Sequence, residues 1–343
     1  MTIITSSNYW TVVFQELQEA INENSHIKYL YIAKKYDEAI KLIEDKIIAW
    51  YGRNSINHKV SLKQAYKKLP PDQLEQFHDL IATYLRDWRE ELGYDLGGKT
   101  IDHASNVSKK DTDAQELEQL TTETNTINDT DTWLALLQEY QTKDDVTCFE
   151  ALSIPILNEI EKVSNDTSNT LLELLVITGW VVYSDINKTL KIQGLAQEQL
   201  KKELLKSWAK DDLNLYDRFN SNKAKLSASV KSTLVKGFRN EMSVDDVIAE
   251  VSKTMGIGAG AAKRLVVTEN SFFNTQSTYL ALKQAGYTHY RYICRLLPTS
   301  CEDCIDLHST VFPMDAYEVG VTSPPLHPHC LCYIVGEFSE VIE

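Results

Sequence analysis

The sequence predicts a mainly α-helical protein with helical N-terminal and central regions and a small α+β module at its C-terminal end. Over most of the 343 residues, apolar side chains recur three and four positions apart, which is the spacing of one helix face. After Gly286 this period gives way to short alternating runs separated by prolines, as in small sheets. Four of the six cysteines also fall within 32 residues of this last part, from Cys301 to Cys332.

Residues 1–92 are predicted to form the N-terminal helical region. One helix is expected to begin near Ser7 and a longer one to cover 26–51, each with apolar residues at helical spacing. Pro70 and Pro71 end a short third helix and open a fourth, because proline fits the first turn of a helix but not its interior.

A polar segment and an acidic helical segment follow. Residues 93–131 contain two adjacent glycines and the run TTETNTINDTDT without apolar periodicity, which predicts a linker. Residues 132–186 have helical spacing again and are predicted to be helical. A strand is the alternative for the β-branched stretch GWVVY within LLELLVITGWVVYSDI.

Residues 187–286 are predicted to form a basic helical region. Ser243 is expected to cap a helix over VDDVIAEVSKTM, and Gly286 is expected to end the last long helix. The glycines of GIGAG, at 256–260, are predicted to form a flexible turn between these two helices. They lack the spacing and the Lys-Ser/Thr pair of a phosphate-binding loop.

Charge is distributed unevenly along the chain, whose formal net charge is −14. The stretch 111–173 has 15 Asp/Glu against 2 Lys/Arg, whereas 188–240 has 12 Lys/Arg against 5 Asp/Glu. Such a basic stretch can contact the phosphates of nucleic acid, although solvated helix faces of opposite sign explain the same counts. The candidate nucleic-acid-binding residues are Lys201, Lys202, Lys206, Lys223, Lys225, Lys231, Lys236 and Arg239.

The C-terminal module, 287–343, is predicted to contain three strands. YTHYRYICRLL, STVFPM and LCYIVGEF are rich in β-branched and aromatic residues and are bounded by turn residues. A segment this short has little core of its own, so a bound metal ion would help it to fold.

Paired cysteine and histidine residues in this module predict a structural zinc site. Cys301-x2-Cys304 is followed after 22 residues by His327-x2-Cys330, and Cys332 lies two positions further on. Zinc takes four thiolate or imidazole ligands in a tetrahedron, which two short turns can supply. The predicted ligands are Cys301, Cys304, His327 and Cys330, with Cys332 as the competitor for the fourth position. The module is thus expected to be zinc-ribbon-like; the alternative is a set of buried free thiols.

No catalytic residue is predicted. His308 and His329 are further imidazoles in the module and are weaker candidates than Cys332 for the fourth metal ligand. Glu269 and Glu302 are acidic side chains that could act as bases, but the first is expected to lie on a helix surface and the second in a solvated turn. Neither belongs to a serine-histidine-acid set that the sequence supports.

The expected compartment is the cytoplasm in which the chain is made. No run approaches the roughly eighteen apolar residues of a membrane helix, and MTIITSSNYW lacks the features of a secretion signal. In a reducing compartment, clustered thiols indicate metal binding rather than disulfides.

The order of several motifs resembles the minor head, or head-morphogenesis, proteins of tailed phages and prophages of Gram-positive bacteria, whose C-terminal part is a Mu F-like domain. The similarity covers roughly 1–92 and 187–335 and is absent from the acidic middle. The motifs are NYW at 8–10, AWYGR at 49–53, FH at 77–78, WAKDDLNLYDRFNSNKAKL, SVDDVIAEV, RLVVTEN, CEDCIDLHSTVFP and PPLHPHCLC.

This resemblance implies a minor capsid protein, a structural component and not an enzyme. Such a protein is expected to associate with the portal and other capsid proteins in the procapsid interior and to serve DNA packaging or ejection. Its expected locations are the virion and the host cytoplasm, with no membrane and no small-molecule substrate. Two cationic positions of the family are lost, since Val267 precedes Thr268-Glu269 and Leu331 separates the last two cysteines.

Two other functions remain open. A zinc-dependent enzyme or toxin could use the Cys/His cluster as a catalytic site with Glu269 or Glu302 as its base, although the motifs of zinc deaminases and zinc proteases are missing. A stand-alone zinc-ribbon-like protein could bind nucleic acid through its basic region.

Overall fold

The computed structural model describes residues 7–93, 130–209 and 211–337, with side chains from His26 onward. Within these ranges the chain forms nine α-helices and one three-stranded antiparallel sheet. The predicted fold class is confirmed: the protein is mainly α, with a small α+β module that contains the clustered cysteines and histidines. The predicted linker lies almost wholly outside the described residues. None of the described helices has an apolar stretch long enough to cross a membrane.

The helices follow the predicted apolar segments, but several are longer than predicted. Their bounds are α1 Ser7–Asn54, α2 Leu62–Ala65, α3 Pro71–Glu91, α4 Thr130–Thr142, α5 Cys148–Leu190, α6 Gln197–Leu204, α7 Leu215–Arg239, α8 Val244–Gln284 and α9 Glu302–Asp306. α1 joins two helices that the sequence predicts separately. α5 includes GWVVY, so this stretch is helix and not strand.

Side-chain caps fix the starts of two long helices. At α5, Thr147 Oγ1 accepts from the backbone N–H of Glu150 at 3.2 Å, and Glu150 Oε2 accepts from that of Thr147 at 2.7 Å. At α8, Ser243 Oγ accepts from the backbone N–H of Asp246 at 3.2 Å. Each cap satisfies a backbone donor that has no partner within its helix.

The sheet has the strand order β2-β1-β3. β1 (His289–Ile293) lies at the centre and pairs antiparallel with β2 (Val311–Pro313) and with β3 (Tyr333–Glu337). The three strands fall within the three runs that the sequence predicts. A 3-10 turn, Met314–Ala316, follows β2 directly.

Contacts divide the chain into two compact units whose segments alternate along the sequence. The first comprises 1–35, 166–222 and 258–343, and therefore contains the whole C-terminal module. The second comprises 36–165 and 223–257. α1, α5, α7 and α8 each contribute residues to both units.

Each unit has its own buried core. In the second, the indole N–H groups of Trp88 and Trp133 both point at Asn158 Oδ1, at 2.9 and 3.4 Å, so a buried amide satisfies two tryptophans. In the first, apolar residues of α5 and α8 pack with those of the sheet. They include Leu175, Val182, Tyr183, Phe272, Phe273, Leu282, Tyr287, Tyr290, Tyr333 and Val335.

The predicted turn at 256–260 is wrong, because α8 continues through these glycines. Glycine in a helix interior costs roughly 1 kcal/mol relative to alanine, which lowers the local preference for helix without forbidding it. Met255 and Leu265, on either side of the glycines, are buried, so packing of the flanking turns outweighs the local preference. At Gly256 and Gly260 an added Cβ would meet no atom within 4 Å, so no close contact requires glycine there.

Gly256→Ala and Gly260→Ala are each expected to raise the free energy of unfolding by about 0.5–1 kcal/mol, since alanine restricts the unfolded chain and fits the helix. Urea denaturation followed by circular dichroism measures the change. Gly237→Ala is the control, because its Cβ would lie 2.7 Å from Val247 Cγ2 and should destabilise the protein. A lower urea midpoint for both Gly256→Ala and Gly260→Ala would instead show that the fold requires these glycines.

Candidate metal centre

The first pair of candidate ligands lies at the start of α9. Cys301 is the N-cap of this short helix, and its sulfur accepts from the backbone N–H of Cys304 at 3.4 Å. The two side chains therefore project to the same side of one helical turn. Cys304 is 2% exposed, so its sulfur points into the module and not into solvent.

The second pair lies in a tight turn from His327 to Cys330. The backbone N–H of Cys330 donates to the carbonyl of His327 at 3.1 Å and closes the turn. Pro328 occupies the second position, and His329 has a positive φ of 64° at the third. Proline followed by a residue of positive φ is the pattern of a type II turn.

The sheet brings the two turns together. Ile293, at the end of β1, pairs with Tyr333, at the start of β3, and Cys332 immediately precedes β3. On the other side of β1, the backbone N–H of Ser309 donates to the carbonyl of Tyr292 at 2.8 Å and returns the chain to the sheet after α9. Both turns are thus held at the same end of β1.

The five candidate ligands form a cluster of two overlapping groups, each of which could hold a metal ion. Cys301, Cys304 and His327 form one group of three, and Cys304, Cys330 and Cys332 form another; within each group the ligand atoms lie within 4.8 Å of one another. Cys304 Sγ lies 3.3 Å from His327 Nε2 and 3.8 Å from Cys330 Sγ. Cys332 therefore belongs to the cluster as fully as Cys330 does.

The imidazole of His327 is oriented for coordination through Nε2. Its Nδ1 lies 2.7 Å from the carbonyl oxygen of Pro328. A carbonyl can only accept, so Nδ1 carries the proton and Nε2, facing Cys304 Sγ, keeps its lone pair. Metal-binding histidines are commonly fixed by such a bond on the opposite ring nitrogen.

The protonation of the sulfurs depends on their contacts. A hydrogen bond from Cys332 lowers the pKa of Cys330 to about 5, and the same hydrogen bond, with burial, raises the pKa of Cys332. Burial raises the pKa of Cys304 to about 12. Without a metal ion these contacts therefore favour a thiolate at Cys330 beside protonated thiols at Cys304 and Cys332. Because metal binding must displace these protons, the affinity for a metal ion falls as pH falls.

Tyr292 contacts the cluster and is absent from the sequence prediction. Its side chain is 0% exposed, and its hydroxyl donates to Cys304 Sγ at 3.4 Å and lies 4.0 Å from Cys330 Sγ. Burial first, and then these sulfurs, raise the pKa of the phenol, so it remains a donor. The alternation of Tyr290 and Tyr292 in a predicted strand was the available signal, but it does not reveal which residues the strand faces.

His308 and His329 lie outside both groups of ligands. His308 Nδ1 accepts from the backbone N–H of Cys294 at 3.1 Å and so supports the loop after β1. The backbone N–H of His329 donates to Thr268 Oγ1 at 3.2 Å, which attaches the second turn to α8. Partial burial, followed by the charges of Arg264 and Lys263, lowers the pKa of His329.

The expectation that Glu269 lies on a helix surface is wrong. Its side chain is 1% exposed, and both carboxylate oxygens are engaged: Arg218 Nη1 donates to Oε1 at 2.6 Å and Trp208 Nε1 donates to Oε2 at 3.0 Å. Arg218 also lies over the Trp208 ring, 4.7 Å from its centroid. Burial raises the pKa of Glu269, and Arg218 opposes this effect. Glu302, by contrast, is exposed at the first turn of α9.

The candidate nucleic-acid-binding residues differ in their surroundings. Lys201 is buried, and Lys223 Nζ is 2.6 Å from Glu161 Oε2, with both side chains largely buried. Lys206 pairs with Glu203 on the surface. The candidates that are exposed are Lys202, Lys206, Lys225, Lys231, Lys236 and Arg239.

Comparisons of the chain with protein-family models, with curated proteins and with solved structures found no match. The cluster combines thiols with an imidazole, and this set of donors suits soft and borderline metal ions rather than calcium or magnesium, which take oxygen ligands.

Tyr292→Phe is expected to lower the affinity for zinc about tenfold, because an outer hydrogen bond to a ligand is lost while the ring still packs. Competition with a chromophoric chelator measures the affinity. Tyr290→Phe is the matched control: this residue lies on the same strand, but its hydroxyl donates to the carbonyl of Thr322. If both substitutions lower the affinity equally, or if neither lowers it, the hydroxyl of Tyr292 does not support the metal site.

Proposed function

We propose that the chain is a minor head protein of a tailed phage or prophage, a structural component whose C-terminal module is held together by one zinc ion. The observation that carries this proposal is the convergence of two ligand-bearing turns at one end of β1. That convergence supports the metal part directly. The capsid part is supported by the resemblance, whose most specific segments are these same two turns.

The distances in the cluster fit zinc. With Zn–S bonds of about 2.3 Å and Zn–N bonds of about 2.0 Å, tetrahedral ligands lie about 3.8 Å apart for two sulfurs and about 3.5 Å apart for sulfur and nitrogen. The separations of 3.8 Å from Cys304 Sγ to Cys330 Sγ and 3.3 Å to His327 Nε2 agree within a few tenths of an ångström. The ligand set of three cysteines and one histidine is a common one in structural zinc sites.

Two features favour a structural over a catalytic zinc. A catalytic site keeps one position open for water, whereas each group of three ligands in this cluster has a further cysteine beside Cys304. Glu269, which follows the Thr268 that contacts the second turn, has both carboxylate oxygens engaged by Arg218 and Trp208. These features favour a metal that stabilises the fold over the alternative of a zinc-dependent enzyme or toxin.

A structural metal also suits the small size of the module. Its sheet has strands of five, three and five residues, and α9 has five. Small modules of this kind bury little apolar surface and often depend on a metal or disulfides for stability. Zinc would supply this stabilisation at the junction of sheet and turns.

The expected setting is the interior of the procapsid, beside the portal. The chain would contact portal and other capsid proteins there and serve DNA packaging or ejection. The resemblance supports this assignment across both ends of the chain.

The exposed side of α7 is the proposed contact with phage DNA. Between Lys223 and Arg239 the helix has no acidic residue. Lys225, Lys236 and Arg239 are exposed and lie on one face, given 3.6 residues per turn. Unlike Lys223, these residues have no acidic partner among the described residues, so their charges are available to phosphates.

Replacing Lys225, Lys236 and Arg239 together with alanine is expected to weaken binding to duplex DNA and to make it less sensitive to salt. The slope of log affinity against log salt should fall by about 2.5–3, since each phosphate contact contributes about 0.9. Fluorescence anisotropy over a salt series measures the slope. Lys206→Ala, at an exposed residue paired with Glu203, is the control. An unchanged slope in the triple variant would exclude this face.

The head assignment is tested with the tagged full chain in an infected or induced lysate. Affinity purification with mass spectrometry is expected to recover portal and other capsid proteins, and the purified chain is expected to contain one zinc. Free thiols at all four clustered cysteines, with no zinc, would refute the metal part. DNA binding by the chain with no capsid protein recovered would favour a stand-alone nucleic-acid-binding protein instead.

A further inference from the structure

The cluster contains one more ligand than a tetrahedral ion uses. Its two groups of three ligands share one member, Cys304. A zinc ion that takes this sulfur together with Cys301 and His327 has one position left, and two sulfurs, Cys330 and Cys332, lie within reach of Cys304.

Several contacts fix the position of Cys304. Its backbone lies in α9, its sulfur accepts from the Tyr292 hydroxyl at 3.4 Å, and its side chain is 2% exposed. Its Sγ also lies close to one further member of each group, 3.3 Å from His327 Nε2 and 3.8 Å from Cys330 Sγ. Among the described residues, Cys304 is the ligand that both groups share.

Cys330 and Cys332 stand in nearly equivalent positions. They are separated by one residue, and the sulfur of each lies within 4.8 Å of Cys304 Sγ. Both are buried, at 1% and 7% exposure, in the same small apolar cluster around Tyr292. Cys330 closes the second turn, and Cys332 immediately precedes β3. The turn thus places one sulfur beside Cys304, and the start of β3 places the other.

We propose that Cys330 and Cys332 are interchangeable as the fourth zinc ligand, whereas Cys304 is required in either arrangement. This inference rests on the zinc site proposed above. In either arrangement the zinc has three thiolates and one imidazole. The second sulfur of the Cys-x-Cys pair remains a buried neighbour that can replace the first without the ion leaving the cluster.

The test compares Cys304→Ser, Cys330→Ser, Cys332→Ser and the Cys330→Ser/Cys332→Ser double variant of the full chain. Zinc per chain is measured by elemental analysis after dialysis against a weak chelator. The two single Cys-x-Cys variants are expected to keep one zinc, while Cys304→Ser and the double variant lose it. Cys294→Ser is the matched control, since this buried thiol packs in the same cluster but belongs to neither ligand group.

Cobalt(II) substitution gives a second readout, which counts the thiolates through their charge-transfer absorption. Wild type and both single variants are expected to show the same three-thiolate intensity. A loss of one thiolate in both single variants would mean that both sulfurs coordinate at once, and would overturn the proposal.

Three further results would also overturn it. Loss of zinc from Cys330→Ser alone would make Cys330 the unique fourth ligand, and loss from Cys332→Ser alone would do the same for Cys332. Zinc retained by Cys304→Ser would show that the shared ligand is dispensable. A wild-type chain that binds neither zinc nor cobalt would refute the zinc site itself, which distinguishes that failure from the failure of ligand exchange.

Discussion

The burial of several sulfurs around Cys304 is the constraint on which the C-terminal module depends. Cys304 and Cys330 are almost fully buried and 3.8 Å apart, and charged thiolates at this distance repel each other strongly in surroundings of low polarity. Protons can remove the charge but add little attraction. A metal ion both compensates the charge and bonds the sulfurs that coordinate it, so it would join the two turns and the end of β1 into one unit.

The parts of the structure that the sequence predicts are those set by short-range spacing. Helical periods located nearly all the helices, and alternation located the three strands. The ligand pairs were recognisable because Cys301 and Cys304 lie in one turn, and His327 and Cys330 in another. Spacing could not decide between Cys330 and Cys332 as the fourth ligand, because the two are separated by one residue and the sulfurs of both lie within 4.8 Å of Cys304 Sγ.

The features that the sequence did not predict depend on contacts between distant segments. Glu269 is buried because Arg218 and Trp208, 51 and 61 residues earlier, supply its partners. Tyr292 reaches the sulfurs because the pairing of β1 with β3 sets which of its alternate residues faces them. The glycines at 256–260 remain helical because packing of the turns on either side outweighs their low preference for helix.

Thr268 and Glu269, within the RLVVTEN motif, connect α8 to the second ligand turn and to α7. They are adjacent on α8 and point about 100° apart, so each meets a different neighbour. Thr268 accepts from the backbone of the second ligand turn, whereas Glu269 binds Arg218 of α7. Contacts with the C-terminal module and with α7 therefore account for both residues of the pair. The buried ion pair with Arg218 fixes Glu269, so a structural role explains this carboxylate without a catalytic one.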